Sequence, residues 1–204
     1  MEYLSLETNT LLSGTIPDAL YGLPNMKELN LFQTRISGSL SLDLGQWTNL
    51  QHLEIGSFLT GSIPPALGSL SHLEKLKLDG NSLTGTLVPL HPLSRLQHLE
   101  LAENQLSGSI PADFFSIPAW KSTLWKLHLQ GNLLTGKLPD EIWTLTQLQT
   151  IRLSNNLELT GSLPEGLQGL TTLIRLDLSN NAFTGTIPFG AFSNSSSQFR
   201  TFHA

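Results

Sequence analysis

Histidine and carboxylate side chains recur at regular intervals along this chain, and they are the residue types that could bind a metal ion or move a proton. His52, His98 and His128 fall at outward positions of predicted strands and share the concave face. His52 and His98 are two strands apart with Lys75 between them, roughly 10 Å at the usual strand spacing, which is too far for one small ion. His128 next to Glu100 could titrate near neutral pH, although a plain surface pair would use the same residues. We therefore predict no metal site.

Motifs for other chemistry are absent from the sequence. It contains no phosphate-binding loop, no nucleophile elbow and no His/Cys spacing typical of zinc sites. The 204 residues include no cysteine and carry a formal net charge of −5, which disfavours general nucleic-acid binding. No run of 18 apolar residues predicts direct membrane insertion of this segment, although a longer parent could be membrane-anchored. We predict a non-enzymatic chain without a cofactor.

Aromatic and basic side chains cluster toward the C-terminal half, which favours recognition over catalysis. Trp125 and Lys126 precede Arg152 and Arg175 at repeat spacing, and this composition is typical of interface hot spots. An unremarkable sheet surface would also carry such residues. Together with charged residues at the other outward strand positions, they form the predicted contact surface: Phe32, His52, Glu54, Lys77, Glu100, Trp125, Lys126, His128, Arg152, Arg175 and Asp177.

One row of this surface alternates in charge. Glu54, Lys77, Glu100 and His128 follow one another in neighbouring strands, at a separation that allows pairing between strands. A salt-laced solvated surface would show the same alternation, and exposed ion pairs contribute at most about 1 kcal/mol each. The row could therefore bind a partner, or it could be an ordinary solvent-exposed surface with ion pairs.

A sequence repeat positions the residues of the predicted contact surface. The pattern LxxLxLxxN followed by xLxGxIP is written eight times, at intervals of 23 to 28 residues. Its inner apolar pairs are Leu4/Leu6, Leu29/Leu31, Leu53/Ile55, Leu76/Leu78, Leu99/Leu101, Leu127/Leu129, Ile151/Leu153 and Leu176/Leu178. A fixed period in this range means one supersecondary unit stacked on itself.

The repeat resembles the plant-type leucine-rich repeat across essentially the whole chain. Its specific half, LxGxIP, is clearest at Leu12–Pro17, Leu59–Pro64, Leu106–Pro111 and Phe183–Pro188. The resemblance implies an α/β repeat solenoid, a right-handed superhelix with a concave parallel β-sheet, short second strands, and a convex side of 3-10 and irregular structure. In this fold the strand leucines point inward and their neighbours outward, because side chains alternate along a strand. The Asn that ends each unit is expected to bond the backbone of the turn and of its neighbour.

The resemblance to receptor-like protein and kinase ectodomains, and to polygalacturonase-inhibiting proteins, implies a function. It implies a module that binds a protein or peptide ligand through the concave face, outside the cell or at its surface; an intracellular location stays open. A scaffold repeat within a larger assembly is the alternative. Ice binding is a minor one, suggested by a hydroxyl row on the second strands that Lys137 interrupts. The row consists of Thr15, Ser39, Ser62, Thr86, Ser109, Ser162 and Thr186.

Some copies depart from the pattern. Thr34 replaces the Asn in the second repeat, and the third repeat is one residue short, with Phe58 where Asn is expected. The fifth carries extra residues that include Phe114, Phe115 and Trp120. These aromatics would either form a second contact surface on the convex side or return to the leucine core.

Both ends of the chain fall inside a repeat. We expect a single domain over residues 1–204, with eight repeats of about 23–28 residues plus the start of a ninth from Phe199 to Ala204, and a fragment of a longer protein. Asn194-Ser195-Ser196 fits an N-glycosylation acceptor.

Overall fold

Two parallel β-sheets run side by side along the molecule, each receiving one strand per repeat. The computed structural model describes residues 1–188 and the backbone of residues 201–203; the predicted glycosylation acceptor lies outside them. The concave sheet consists of Tyr3–Ser5 (β1), Glu28–Asn30 (β3), His52–Glu54 (β5), Lys75–Lys77 (β7), His98–Glu100 (β9), Lys126–His128 (β11), Thr150–Arg152 (β13), Arg175–Asp177 (β15) and Thr201–His203 (β17). The second sheet consists of Ser13–Thr15 (β2), Arg35–Ser39 (β4), Phe58–Ser62 (β6), Ser82–Gly85 (β8), Gln105–Ser109 (β10), Leu133–Lys137 (β12), Glu158–Gly161 (β14) and Ala182–Phe183 (β16).

The register of the concave sheet follows the leucine pattern. Leu53 pairs with Leu76, which pairs with Leu99, so the central residue of each strand lies beside its counterpart in the next repeat. These central leucines are fully buried, because a strand turns every second side chain to the same face. The predicted solenoid with a continuous leucine core is confirmed.

Short helices form the convex side and return the chain to the next concave strand. Their bounds are Asp18–Tyr21 (α1) and Trp120–Thr123 (α2), with 3-10 helices at Leu42–Gln46, Pro65–Ser69, Asp140–Thr144 and Glu165–Gly169. Pro17 and Pro64 precede two of them with φ of −67° and −73°, since proline is fixed near that angle and has no N–H to donate to a continuing sheet. In the described part of the chain, no helix is long and apolar enough to cross a lipid bilayer.

The asparagines that end the repeats form a ladder of hydrogen bonds between adjacent repeats, which we call the asparagine ladder. Its members are Asn81, Asn104, Asn132, Asn156 and Asn181. Asn132 Nδ2 donates to the carbonyls of Leu129 in its own repeat and Leu101 in the preceding repeat, each at 3.0 Å, and its Oδ1 accepts from Leu106 N–H at 3.0 Å. Asn104 and Asn156 make equivalent bonds. The expectation that the Asn bonds both its own turn and its neighbour is confirmed.

In the second and third repeats, which lack the ladder asparagine, the hydroxyls of Thr34 and Ser57 take its place. Thr34 Oγ1 donates to the carbonyl of Leu31 at 2.8 Å and lies 2.9 Å from Ser57 Oγ. Ser57 Oγ reaches the same carbonyl at 3.2 Å. Ser57, rather than Phe58, therefore takes the place of the missing Asn in the third repeat, and Phe58 is exposed.

Most glycines of the second sheet lie close to a side chain of the repeat before them. Gly108 has a φ of +76°, and a Cβ added there would lie 3.1 Å from Thr86 Cγ2. At Gly161 the corresponding neighbour is Lys137, whose Cγ would lie 3.3 Å from the added Cβ. Glycine is required by its backbone angle and also leaves room for the preceding repeat's side chain.

The convex insertion is part of the core. Phe114, Phe115 and Trp120 are buried, so the candidate second contact surface is wrong. Phe114 packs edge-on against both of the other rings, at centroid distances of 5.1 Å and 6.0 Å. Trp120 Nε1 donates to the carbonyl of Leu93 at 2.8 Å, which satisfies its polar atom inside the core.

Candidate functional site

The outward residues of the concave strands form two continuous columns. Lys126 lies beside His98 on one side and Thr150 on the other, and His128 lies between Glu100 and Arg152. The same register extends through Arg175 beside Thr150 and Asp177 beside Arg152. The solenoid thus brings residues more than twenty positions apart in sequence into one surface, where each is free to vary without disturbing the leucine core.

Glu100 is the centre of the most closely packed part of this surface. Only 8% of its side chain is exposed, and its carboxylate lies 3.3 Å from His128 Nδ1, 3.4 Å from Lys126 Nζ and 3.6 Å from His98 Nδ1. Burial on its own would raise the pKa of the Glu100 carboxyl, but the imidazoles of His128 and His98 and the charge of Lys126 outweigh it. The pKa lies well below its usual range, and Glu100 is ionised.

A second carboxyl group near Glu100 has the opposite tendency. Burial raises the pKa of Asp79, and the nearby charge of Glu100 raises it further. A hydrogen bond of 2.8 Å from the N–H of Ala102 and the charge of Lys77 oppose the increase only in part. The two neighbouring carboxyls therefore differ in their affinity for a proton.

The basic and aromatic patch predicted from the sequence surrounds this centre. Trp125 is half-buried rather than freely exposed: its indole meets the His98 ring edge-on, with centroids 4.1 Å apart, and Lys126 Nζ lies 5.6 Å from the indole centroid. Among the described residues, Arg152 Nε, Arg175 Nε and His128 Nε2 are buried and have no hydrogen-bond partner. We call Trp125, Lys126, His128, Arg152 and Arg175 the basic patch.

In the row that alternates in charge, Glu54 and Lys77 do not pair with each other. Glu54 bonds to Lys75 in the other column, with Nζ 2.8 Å from Oε1. Lys77 instead places Nζ 3.8 Å from the centroid of the Phe32 ring. That ring lies across Gly56, where a Cβ would overlap it. Phe32 therefore spans the third repeat and joins the second repeat to the fourth.

The remaining predicted residues lie on either side of this centre, in β5 and β15. His52 Nδ1 is 3.7 Å from Glu28 Oε2. Arg175 is 3.9 Å from Asp177, which also accepts a hydrogen bond of 2.7 Å from the Ser179 hydroxyl. These pairs are far from Glu100 along the columns, so the eleven predicted residues form one extended surface rather than one pocket.

Residues that the sequence prediction omitted complete the centre of the surface. His98 and Lys75 stand in the outward columns, and each contacts a buried or half-buried carboxylate of the neighbouring column. A comparison of diagonal neighbours would have selected Lys75, and a comparison of residues two apart within one strand would have selected His98. No group of three His, Asp or Glu side chains in the described ranges has the geometry to hold a metal ion.

Comparison with known proteins is consistent with this architecture. The Leucine Rich Repeat family pattern matches residues 95–117, 123–145 and 172–194. Receptor-like protein 6 of Arabidopsis thaliana is 30% identical over 159 residues, which are 78% of this chain and 14% of that protein. The chain thus spans about one seventh of the length of this relative.

Solved structures share the fold over most of the chain. The Arabidopsis receptor kinase HAESA, in complex with the peptide hormone IDA and the co-receptor SERK1, superposes with a TM-score of 0.86 and 31% identity, covering 92% of this chain and 31% of that one. A plant ice-binding protein gives a TM-score of 0.72 and 26% identity, covering 88% and 57%. With its eight leucine-rich repeats, four of which carry a clear copy of the specific motif, and its paired parallel sheets, the chain belongs to the plant-type leucine-rich repeat family.

Proposed function

We propose that the chain is the recognition part of a receptor-like protein and binds a protein or peptide ligand through the concave surface around Glu100 and the basic patch. The observation that carries this proposal is the pair of buried N–H groups, Arg152 Nε and Arg175 Nε, that lack a hydrogen-bond partner in the described part of the chain. Buried donors are nearly always satisfied, so a ligand that supplies acceptors there gains hydrogen bonds without displacing any internal ones.

The geometry favours an acidic or carbonyl-rich ligand at this position. Arg152 and Arg175 stand in different columns of adjacent strands, and Trp125 offers an aromatic edge on the N-terminal side. Lys126 is engaged by Glu100 and Arg175 lies 3.9 Å from Asp177, so the arginine Nε groups, rather than free positive charge, offer the ligand its contacts. The related receptor kinase HAESA, which was solved with a peptide hormone, supports a peptide as the ligand class. By the same likeness, we place the chain outside the cell or at its surface.

The test is a selection from a displayed random peptide library against the protein, followed by calorimetric titration of the selected peptides. Trp125→Ala combined with Arg152→Ala is expected to weaken binding at least tenfold, because it removes an aromatic anchor and a cation. Lys121→Ala combined with Lys137→Ala is the matched control, since both lysines are exposed outside the concave sheet. Equal affinities for the two double variants would contradict the proposal, provided both retain the wild-type circular dichroism spectrum.

The hydroxyl rows of the second sheet do not favour ice binding in this chain. In the row that precedes the glycines, the hydroxyls of Ser37, Thr60 and Thr84 approach glycine carbonyls of the preceding repeats at 3.2–3.4 Å, so Ser and Thr have a structural use next to the candidate row. Lys137 also interrupts the outer row with a long charged side chain. We expect no thermal hysteresis from the purified protein, and a clear freezing-point gap would establish the second sheet as an ice-binding surface.

A further inference from the structure

An apolar groove lies on the flank of the solenoid, between the asparagine ladder and the second sheet. Leu133 and Leu157 project into it with 60% and 73% of their surface exposed. The residues that line it include Gly131 and Ser107, and its volume is about 690 Å³. This is the size range of sites that enclose a ligand group. The groove is separate from the concave surface.

The two leucines are not required by the repeat. Leu133 begins β12, and the equivalent first residues of β4, β8 and β10 are Arg35, Ser82 and Gln105. Leu157 is an additional residue, because two residues separate Asn156 from Leu159 where one separates Asn132 from Leu134. Neither belongs to the buried leucine core. A pair of exposed leucines that share one groove typically marks an interaction site.

Two carboxylates border the same groove. The Glu103 side chain lies over Gly131, where a Cβ would overlap its carboxylate, and Glu158 follows Leu157 directly. Neither forms an ion pair within the described residues. The residues that line the groove include no lysine or arginine. The groove thus has an apolar floor and a negatively charged border, which complements an apolar side chain flanked by basic ones.

We propose that this groove is a docking surface for a second protein, which inserts a leucine-like side chain carried between lysine or arginine residues. The proposal does not depend on the ligand of the concave face, because the two surfaces share none of the residues argued for either. It gives the chain two binding surfaces, one facing the concave side and one facing sideways.

The probe is the acetylated, amidated pentapeptide Lys-Leu-Lys-Leu-Lys, added to isotope-labelled protein and followed by amide chemical shifts. We expect saturable shifts at Gly131, Leu133 and Leu157, weakened by added salt. The peptides Glu-Leu-Glu-Leu-Glu and Lys-Ser-Lys-Ser-Lys lack the charge or the apolar group, and are expected to bind at least tenfold more weakly. Equal shifts with the glutamate peptide would overturn the proposed charge complementarity.

Variants locate the binding to the groove. Leu133→Ser combined with Leu157→Ser is expected to reduce affinity for the lysine–leucine peptide at least tenfold, while Phe58→Ser leaves it unchanged. Phe58 is the matched control, because it begins β6 at the position equivalent to Leu133 and is 58% exposed. Glu103→Gln combined with Glu158→Gln provides a second test that leaves the leucines in place, and it is expected to weaken binding and flatten its salt dependence.

Two further results would overturn the proposal. One is unchanged peptide affinity in both double variants. The other is a concentration-dependent dimer of the wild-type protein, seen by analytical ultracentrifugation, that disappears in Leu133→Ser/Leu157→Ser; the occupant would then be a second copy of this chain.

Discussion

Glu100 connects more of the candidate site than any other side chain described above. It contacts Lys126 and His128 of the next strand and His98 of its own strand, and His98 in turn supports the Trp125 indole. A carboxylate in this position stabilises the arrangement only while it is ionised. The geometry of the basic patch therefore depends on an acid that is itself almost hidden from solvent.

Glu100→Gln tests this dependence through pH. The folded-state pKa lies below the ordinary value of 4.5, so the ionised carboxylate stabilises the fold above about pH 4.5 and this contribution is lost as the pH falls through the folded-state pKa. At pH 7 the variant should be less stable by about 1–3 kcal/mol, since bonds to a charged group are replaced by weaker ones. Urea unfolding between pH 7 and pH 3 should show the difference shrinking below pH 4.5. A difference that stays constant over this range would contradict the assignment.

Gly56→Ala tests the contact between the second and fourth repeats. The added methyl group would occupy the position of the Phe32 ring, which must turn away and lose its contact with Lys77. We expect a loss of about 1 kcal/mol in unfolding free energy, because an exposed cation–π contact contributes about that much. Repeating the substitution in a Phe32→Ala background should reduce the loss without abolishing it, because the added Cβ would also lie 2.9 Å from the backbone carbonyl oxygen of Asp79. The same loss in both backgrounds would locate the cause in the backbone instead.

At the residue scale, the sequence predicted where side chains lie in the outward columns better than it predicted which side chains form ion pairs. The outward columns follow directly from the alternation of leucines, so His128 and Arg152 were placed beside each other correctly. The choice of Lys75 over Lys77 by Glu54 depends on which side-chain rotamers fit once Phe32 has covered Gly56. That choice is a three-dimensional competition among neighbours, which strand periodicity does not encode.

The asparagine ladder is the element that joins one repeat to the next. Asn132→Ala removes bonds to two carbonyls and one N–H, all buried. We expect a loss of at least about 2 kcal/mol, because buried backbone groups left without partners carry a desolvation penalty of about 1–3 kcal/mol each. Asn9→Ala is the control, since Asn9 is exposed and hydrogen-bonds only within its own turn. Urea denaturation measures both, and equal losses would show that the ladder does not act between repeats.

The strands and turns were predictable in repeats that follow the motif. They were harder to predict in repeats with a deletion or an insertion. The strand–turn–strand order of each repeat follows from LxxLxLxxN and LxGxIP. The replacement of Asn by Ser57 was not evident, because the deletion in the third repeat shifts the alignment by one position. The insertion aromatics allowed two outcomes, and the burial of Trp120 depends on an acceptor, the Leu93 carbonyl, in the preceding repeat.

The whole molecule is a linear stack in which each repeat contacts its neighbours. Lys75 lies beside His98 and Leu76 beside Leu99, so residues 76–98 form one complete period. Deleting them places Leu99 where Leu76 was, and should leave a folded solenoid that is one repeat shorter and has a lower urea m-value. Deleting only residues 76–86 removes half a period, breaks the register, and should prevent cooperative unfolding. Circular dichroism during urea titration distinguishes the two, and similar behaviour of both deletions would contradict the stacking argument.

At this scale the sequence established the architecture, because the period alone specifies how many units stack and which face is buried. It did not identify the flank groove. Leu133 and Leu157 occupy positions that the motif leaves unspecified, and only their placement in adjacent repeats shows that they share a surface.

The glycines of the second sheet also affect how the number and order of repeats can change during evolution. Because each glycine leaves room for whatever side chain the preceding repeat presents, Lys137 is accommodated over Gly161 much as Thr86 is over Gly108. A newly duplicated or exchanged repeat meets no specific counterpart on that side and needs no compensating substitution. The gene can therefore gain, lose or recombine whole repeats, and so acquire new concave surfaces, without redesigning the joint between them.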